Sequence, residues 1–317
     1  MKYIEQIREG DRISDIYLCK TKGNFVTKNG KPYISCTLQD KTGSIDAKIW
    51  EVNSMGIGDF DALDYIDVVA DVVSFNNVLQ LNVKRVRVVS QDEYEPGDYL
   101  PVSRYDINSM FAELLGIIDK IENPHLKALL EAFFVEDAEF IAAFKNHSAA
   151  KSVHHGFIGG LLEHTLSVTK LCQYYVTRYP VLNKSLLLTA AIFHDMGKIR
   201  ELSKFPINDY TDEGQLIGHI VMGSEMIAEK VRELPGFPVK LANELRHCIL
   251  AHHGELEYGS PKKPALVEAI ALNLADNTDA KMETITEILS SSIPPEGTEW
   301  LGYNRLFESN LRKTGEW

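Results

Sequence analysis

Cysteine is scarce and scattered in this 317-residue chain: Cys19, Cys36, Cys172 and Cys248 lie far apart, with no CxxC spacing among them. A disulfide framework is thereby excluded, and the four read as reduced core residues of a cytoplasmic protein. Long apolar runs are missing too. No segment approaches the length of a membrane span, so no membrane partner is expected. Met1 to Gly10 hold no apolar stretch of signal-peptide length. There is no internal repeat and no low-complexity tract. Positive charge is in deficit, with 33 Lys and Arg against 45 Asp and Glu and a formal net charge of −12. Taken over the whole chain, that balance argues against a nucleic-acid binder. The deficit is uneven, however: residues 1–90 contain 12 basic and 12 acidic side chains, and the remainder holds the entire excess. An acidic sum is also compatible with bound divalent cations, which invert the local field and are not counted in it.

What is present divides into two halves, each with its own period. Segments 12–19, 32–39, 44–51, 65–74 and 78–89 read as five short strands, separated by turn signals at Asn29-Gly30, Asp40 to Gly43 and Asn76-Asn77. Ile34, Cys36 and Leu38 alternate with Tyr33, Ser35 and Thr37, and Ile45, Ala47 and Ile49 with Asp46, Lys48 and Trp50. Period-2 patterning sends the first member of each set to a core and leaves Tyr33, Lys48 and Trp50 on the other face. Five strands in 1–90 predict a small closed barrel, in an order and spacing that resemble an OB-fold. On such a barrel Tyr33, Trp50, Phe75 and Phe25 are candidates to stack bases, and Lys48 and Arg85 to meet phosphates. Packing of Trp50 and Phe75 against the insertion at 55–63 or against the next domain is the competing role.

Residues 91–105, with two prolines, a glycine and several acids, read as a linker. From Asp106 the period becomes 3.6, and 106–300 reads as all-helical, with a C-terminal tail over 301–317 that lacks any clear period. The apolar faces of the 106–145 helices either pack onto the barrel or join copies of the chain in a homo-oligomer.

The helical half is organised around Leu186 to Lys198, an apolar run that ends in the adjacent pair His194-Asp195. Two ligand-type side chains at the end of a buried helix are costly to desolvate unless something binds them. Their candidate partners are His164, His219, His252, His253 and Asp276. Seven imidazole and carboxylate ligands exceed what one ion with open positions needs, and suit two divalent ions. Mn²⁺ is favoured, with Co²⁺, Fe²⁺, Zn²⁺, Mg²⁺ or Ni²⁺ as alternatives. Lys198, three residues after Asp195, falls on the same helical face and is placed to contact a phosphate oxygen or protonate a departing oxygen. His154, His155 and Arg200 are further candidate phosphate contacts, and Glu163 a candidate support for a ligand imidazole.

The order His164, His194-Asp195, Asp276 resembles the HD-domain metal-dependent phosphohydrolases. Resemblance to their binuclear members implies a first site of His164, His194, Asp195 and Asp276, and a second of Asp195, His219, His252 and His253, with Asp195 as the bridge. An OB-fold followed by an HD domain containing His154-His155-Gly156-Phe157-Ile158-Gly159-Gly160-Leu161-Leu162-Glu163-His164-Thr165 looks like the YhaM family of 3'-to-5' exoribonucleases over nearly the full chain. That likeness implies a divalent-metal-dependent enzyme acting on single-stranded RNA, and on single-stranded DNA as a further substrate. A nucleotide or cyclic-dinucleotide phosphohydrolase with a regulatory barrel is the alternative enzyme, and a nucleic-acid-binding adaptor with a structural metal site the alternative non-enzyme.

Overall fold

The computed structural model describes residues 2–76, 78–151, 155–292, 294 and 297–315. Two compact units emerge, one of 1–104 with 204–209 and one of 105–203 with 210–317.

In the first unit β1 (Arg12–Val26), β2 (Pro32–Asp40), β3 (Gly43–Ile49), β4 (Tyr65–Phe75) and β5 (Val78–Val88) close a barrel in the order β1-β2-β3-β5-β4. All neighbours are antiparallel except β3 and β5. This is an OB-fold barrel. The predicted alternation holds, since Cys36, Leu38, Ile45, Ala47 and Ile49 are buried inside with Tyr17, Ile66 and Leu81, while Asp46 and Lys48 face outward. β1 runs seven residues beyond its predicted end at 19. A register shift between Cys19 and Thr21 lets the polar stretch up to Val26 continue along β2, where burial no longer marks the strand. Within it Gly23 has no Cβ, and a Cβ there would lie 2.6 Å from the ring of Phe25, which therefore lies across this position.

Of residues 91–105, read as a linker, the stretch 94–100 is instead docked on the barrel. Tyr94 stacks on Tyr65 at 3.8 Å, Tyr99 and Leu100 are buried, and Asp98 accepts from Tyr3 Oη at 2.8 Å and Lys41 Nζ at 2.7 Å. The prolines and acids mark irregular backbone correctly, but three tyrosines bury enough ring area to hold that backbone in place.

The second unit is built from α1 (Ile107–Ile118), α2 (Pro124–Phe134), α3 (Ala138–Asn146), α4 (Gly160–Arg178), α5 (Lys184–Phe193), α6 (Lys198–Glu201), α7 (Asp212–Ile217), α8 (His219–Glu233), α9 (Val239–Leu250) and α10 (Val267–Ser291). Asp106, Asn123, Asp137 and Asn183 each cap a helix by accepting a backbone N–H. Every residue of α5 from Leu186 to Phe193 is buried, so α5 has no solvent face and packs among α2, α4, α9 and α10. The expectation of no strand after 106 is corrected by a hairpin of β6 (Trp300–Asn304) and β7 (Ser309–Arg312). Its Trp300 and Tyr303 are exposed, so no apolar alternation betrays it, and ladder bonds and a turn begun by Asn304 define it.

Candidate metal centre

His164 projects from the middle of α4, Asp276 from α10, and His194 and Asp195 from the turn that ends α5. His219 is the first residue of α8, while His252 and His253 follow α9. Two helix interiors and three helix ends thus aim the seven predicted residues at one place. His164 Nε2 lies 3.1 Å from His194 Nε2, 3.4 Å from Asp195 Oδ2 and 3.1 Å from Asp276 Oδ1. The other oxygen of the same carboxylate, Asp195 Oδ1, lies 3.4 Å from His219 Nε2 and 3.7 Å from His252 Nε2. His219, His252 and His253 form a second group able to hold an ion, beside the group of His164, His194 and Asp276.

The imidazole tautomers follow from the acceptors on their far sides. A carbonyl or carboxylate oxygen can only accept, so Nδ1 donates in His194 to Ala191 O (2.8 Å), in His252 to Ile249 O (2.7 Å) and in His253 to Tyr258 O (2.9 Å). His219 Nδ1 donates to Glu201 Oε1 at 2.8 Å, and His164 Nδ1 to Asp279 Oδ2 at 2.7 Å. Each Nε2 then turns a lone pair inward. His164 and His194 bring two such lone pairs within 3.1 Å of each other, an arrangement that repels unless a proton or cation lies between them. Asp195 Oδ1, His219 Nε2 and His252 Nε2 are buried atoms with no hydrogen-bond partner. Three orphaned acceptors around one point are what a cation would satisfy, so the donor set fits divalent metal.

The turn that carries His194 and Asp195 depends on Gly197. A Cβ there would sit 2.0 Å from His219 O and 2.8 Å from Gly223 N, both backbone atoms of α8. Only glycine lets α8 come close enough for His219 to face Asp195 Oδ1.

Charge is shared tightly in the pocket. Burial would raise the Asp195 pKa, but the Lys198 ammonium and the neighbouring histidines hold it well below the carboxylate range. Lys198 Nζ lies 2.6 Å from Asp195 Oδ2 and its pKa is raised by that carboxylate against burial. Burial and the neighbouring imidazoles depress His252, which suits a neutral ligand. His164 is the exception: burial opposes its charge, yet Asp195, Asp276 and Asp279 raise its pKa well above the ordinary value. A cation taken up by His164 Nε2 must displace that proton. The metal-free protein should therefore bind Mn²⁺ about tenfold more tightly for each unit of pH gained below the His164 pKa. Titration in weakly buffered solution would register one proton released per bound first ion, and binding with no release and no pH dependence would contradict it.

Among the other predicted site residues, Lys198 lines the cleft above the pocket together with His253, Ala149 and Ala280. His155, a candidate phosphate contact, is buried, and its Nε2 meets Asp279 Oδ2 at 3.1 Å, so a carboxylate occupies one of its two ring nitrogens. Arg200 is exposed and reaches Glu229 at 3.6 Å. His154 lies outside the described residues. The support of His164 is Asp279, not Glu163, because adjacent residues of α4 cannot face each other. Sequence reasoning missed both Asp279 and Glu201. Asp279 carried a signal, being one helical turn after Asp276, whereas Glu201 meets its partner 18 residues away and had none.

On the barrel, Tyr33 stacks with Phe25 at 5.7 Å and with Trp50 at 4.9 Å, and Lys48 bonds Ser35 on the same outer face. Phe25 and Trp50 are about half exposed. Phe75 is exposed at the far end of β4, and Arg85 sits at a register shift on β5 with its stem against Gly56. Four of the six barrel candidates are thus brought together, and these two are not.

Comparison with known proteins agrees with this layout. The family model for the HD domain matches residues 161–281. The chain is 34% identical over 301 residues to the 3'-5' exoribonuclease YhaM of Shouchella clausii, covering 94% of this chain and 92% of that one. It is 33% identical to the proteins of that name from a Geobacillus species and from Bacillus subtilis, covering 94% and 92% of this chain and 91% of each relative.

Proposed function

We propose, for a chain that belongs to the YhaM family of 3'-5' exoribonucleases, that it hydrolyses single-stranded RNA from the 3' end to nucleoside 5'-monophosphates. The observation that carries this reading is the division of Asp195, with Oδ2 toward His164 and His194 and Oδ1 toward His219 and His252. His164, His194, Asp195 and Asp276 would hold one divalent ion, and Asp195, His219, His252 and His253 a second, with Mn²⁺ favoured by the mixed nitrogen and oxygen donors. Ions held there would supply neutralisation of the phosphate and acidify a water molecule. The chain's own part is to fix that site: five imidazoles locked by Nδ1–H donation cannot rotate, and the carboxylates stay ionised. Lys198, protonated and lining the cleft, is the cation that meets a nonbridging oxygen or donates to the departing 3' oxygen.

The barrel's role in this reading is to hold the strand. Phe25, Tyr33 and Trp50 offer consecutive ring faces, and stacking is tolerant of base identity, which admits single-stranded DNA as a second substrate. Trp50→Ala should weaken single-stranded RNA by about 1–3 kcal/mol, or roughly 5- to 150-fold in KM, while leaving a small chromogenic phosphodiester unaffected. An unchanged ratio between the two substrates would remove the barrel from substrate binding.

The deciding experiment digests 3'-labelled and 5'-labelled single-stranded RNA with Mn²⁺ and with chelator and resolves the products by size. A ladder of single-nucleotide steps from the 5' label, immediate release of the 3'-terminal nucleotide, and silence in chelator are expected. Internal fragments, or activity on free nucleotides alone, would replace this reading by another phosphohydrolase.

A further inference from the structure

The ligand histidines are not all held in the same way. His194 and His252 donate Nδ1–H to a carbonyl three residues back, and His253 to one five residues ahead, so their own segments orient them. His164 cannot do this, because it lies inside α4 where the preceding carbonyls belong to the helix ladder. His219 cannot either, because it opens α8 directly after Gly218, whose φ of 78° breaks the helical path from α7. Both take a carboxylate from elsewhere in the fold.

Resting on the two-ion reading above, we infer that Asp279 and Glu201 are paired positioning residues outside the ligand set, each orienting one ligand imidazole and so each governing one of the two metal sites. Asp279 is itself fixed by three donors: Oδ2 takes His164 Nδ1 at 2.7 Å and His155 Nε2 at 3.1 Å, and Oδ1 takes the hydroxyl of Ser167. Ser167 stands one turn after His164 and Asp279 one turn after Asp276, so a single contact clamps α4 to α10 at the first cluster. Glu201 Oε1 accepts both the Nδ1–H of His219 at 2.8 Å and its backbone N–H at 2.9 Å. One oxygen thereby orients the imidazole and caps α8, whose preceding residue Gly218 has no side chain to do so. Glu201 is placed in turn by Gly214 of α7, where a Cβ would lie 2.2 Å from Glu201 O. An imidazole backed by a carboxylate is also a more basic ligand than one backed by a carbonyl, and each cluster contains one of the former. His155 acquires its role here, as the donor that steadies Asp279.

Titration of the metal-free full-length protein with Mn²⁺, followed calorimetrically, tests this without recourse to activity. The wild type should take up two ions. Asp279→Ala should weaken one site about 10- to 100-fold and spare the other, and Glu201→Ala should weaken the other site by a similar factor. In a His164→Ala background, Asp279→Ala should add nothing, since the residue acts through that imidazole. Unchanged affinities in the folded alanine variants, or an undiminished effect in the His164→Ala background, would overturn the inference. Should an alanine variant lose its helical circular dichroism, Asp279→Asn and Glu201→Gln decide: they keep an acceptor but lose the charge, and should weaken the same single site several-fold, whereas wild-type affinity would count against the carboxylates. Fewer than two ions bound by the wild type would instead overturn the two-ion reading, and this inference with it.

Discussion

Asp195→Asn should reduce RNA hydrolysis by at least about 10³-fold while single-stranded RNA still binds. The side chain supplies one oxygen to each cluster, and losing its charge forfeits several kcal/mol of transition-state stabilisation, each 1.4 kcal/mol being about tenfold in rate. Asparagine is preferred to alanine because Lys198 Nζ lies 2.6 Å from Asp195 Oδ2, and the amide oxygen keeps a hydrogen-bond acceptor for that ammonium where alanine leaves none. Single-turnover assays with labelled RNA and filter binding on the same preparation separate the two effects. A folded variant that lost binding and hydrolysis in equal measure would mean that the metal pocket, and not the barrel, anchors the strand.

The second large effect is expected at a residue with no side chain of its own, Gly197. Alanine there places a methyl group 2.0 Å from a backbone carbonyl of α8, and backbone cannot rotate aside as a side chain can. α8 would have to withdraw by more than about 1 Å, since packed interiors have no slack to absorb the overlap. A displacement of that size in a catalytic group costs on the order of 10²-fold in rate, and overpacking costs about 1–3 kcal/mol of stability. Because His219 rides on α8 whereas His164, His194 and Asp276 do not, Gly197→Ala should empty the second cluster and leave the first. Metal content of purified protein would report one ion in place of two. Two ions and full activity would show that α8 accommodates the methyl group.

The architecture was legible where burial imposed a period. Alternation in β2 and β3 and the uniformly apolar α5 both follow from which face of an element meets the core. It was illegible where pairing or stacking replaced burial: in the outer half of β1, in the exposed β6–β7 hairpin, and in 91–104, whose loop composition concealed two tyrosines packed on Tyr65 of β4. The metal pocket was readable because ligands are rare residue types in an otherwise apolar setting, so that His194-Asp195 after Leu186 to Phe193 demanded company. Asp279 and Glu201 were hidden for the opposite reason. Acids are common on helices, and only the fold brings Glu201 to a histidine 18 residues on. The contact of His155 with Asp279 was hidden because a nearby glycine-rich turn says that the backbone is tight without saying which way the ring faces.

If the barrel holds a strand as proposed, the absent Cβ of Gly23 has a consequence for how that strand would be captured. With nothing beneath it, the Phe25 ring reclines along the sheet and abuts Tyr33, which abuts Trp50, so the three rings are already arrayed before any ligand arrives. Little side-chain entropy is left to lose on docking. On the reading proposed above, such a shelf would gain affinity by being ready, not by closing, and would let go of each nucleotide step without a conformational toll.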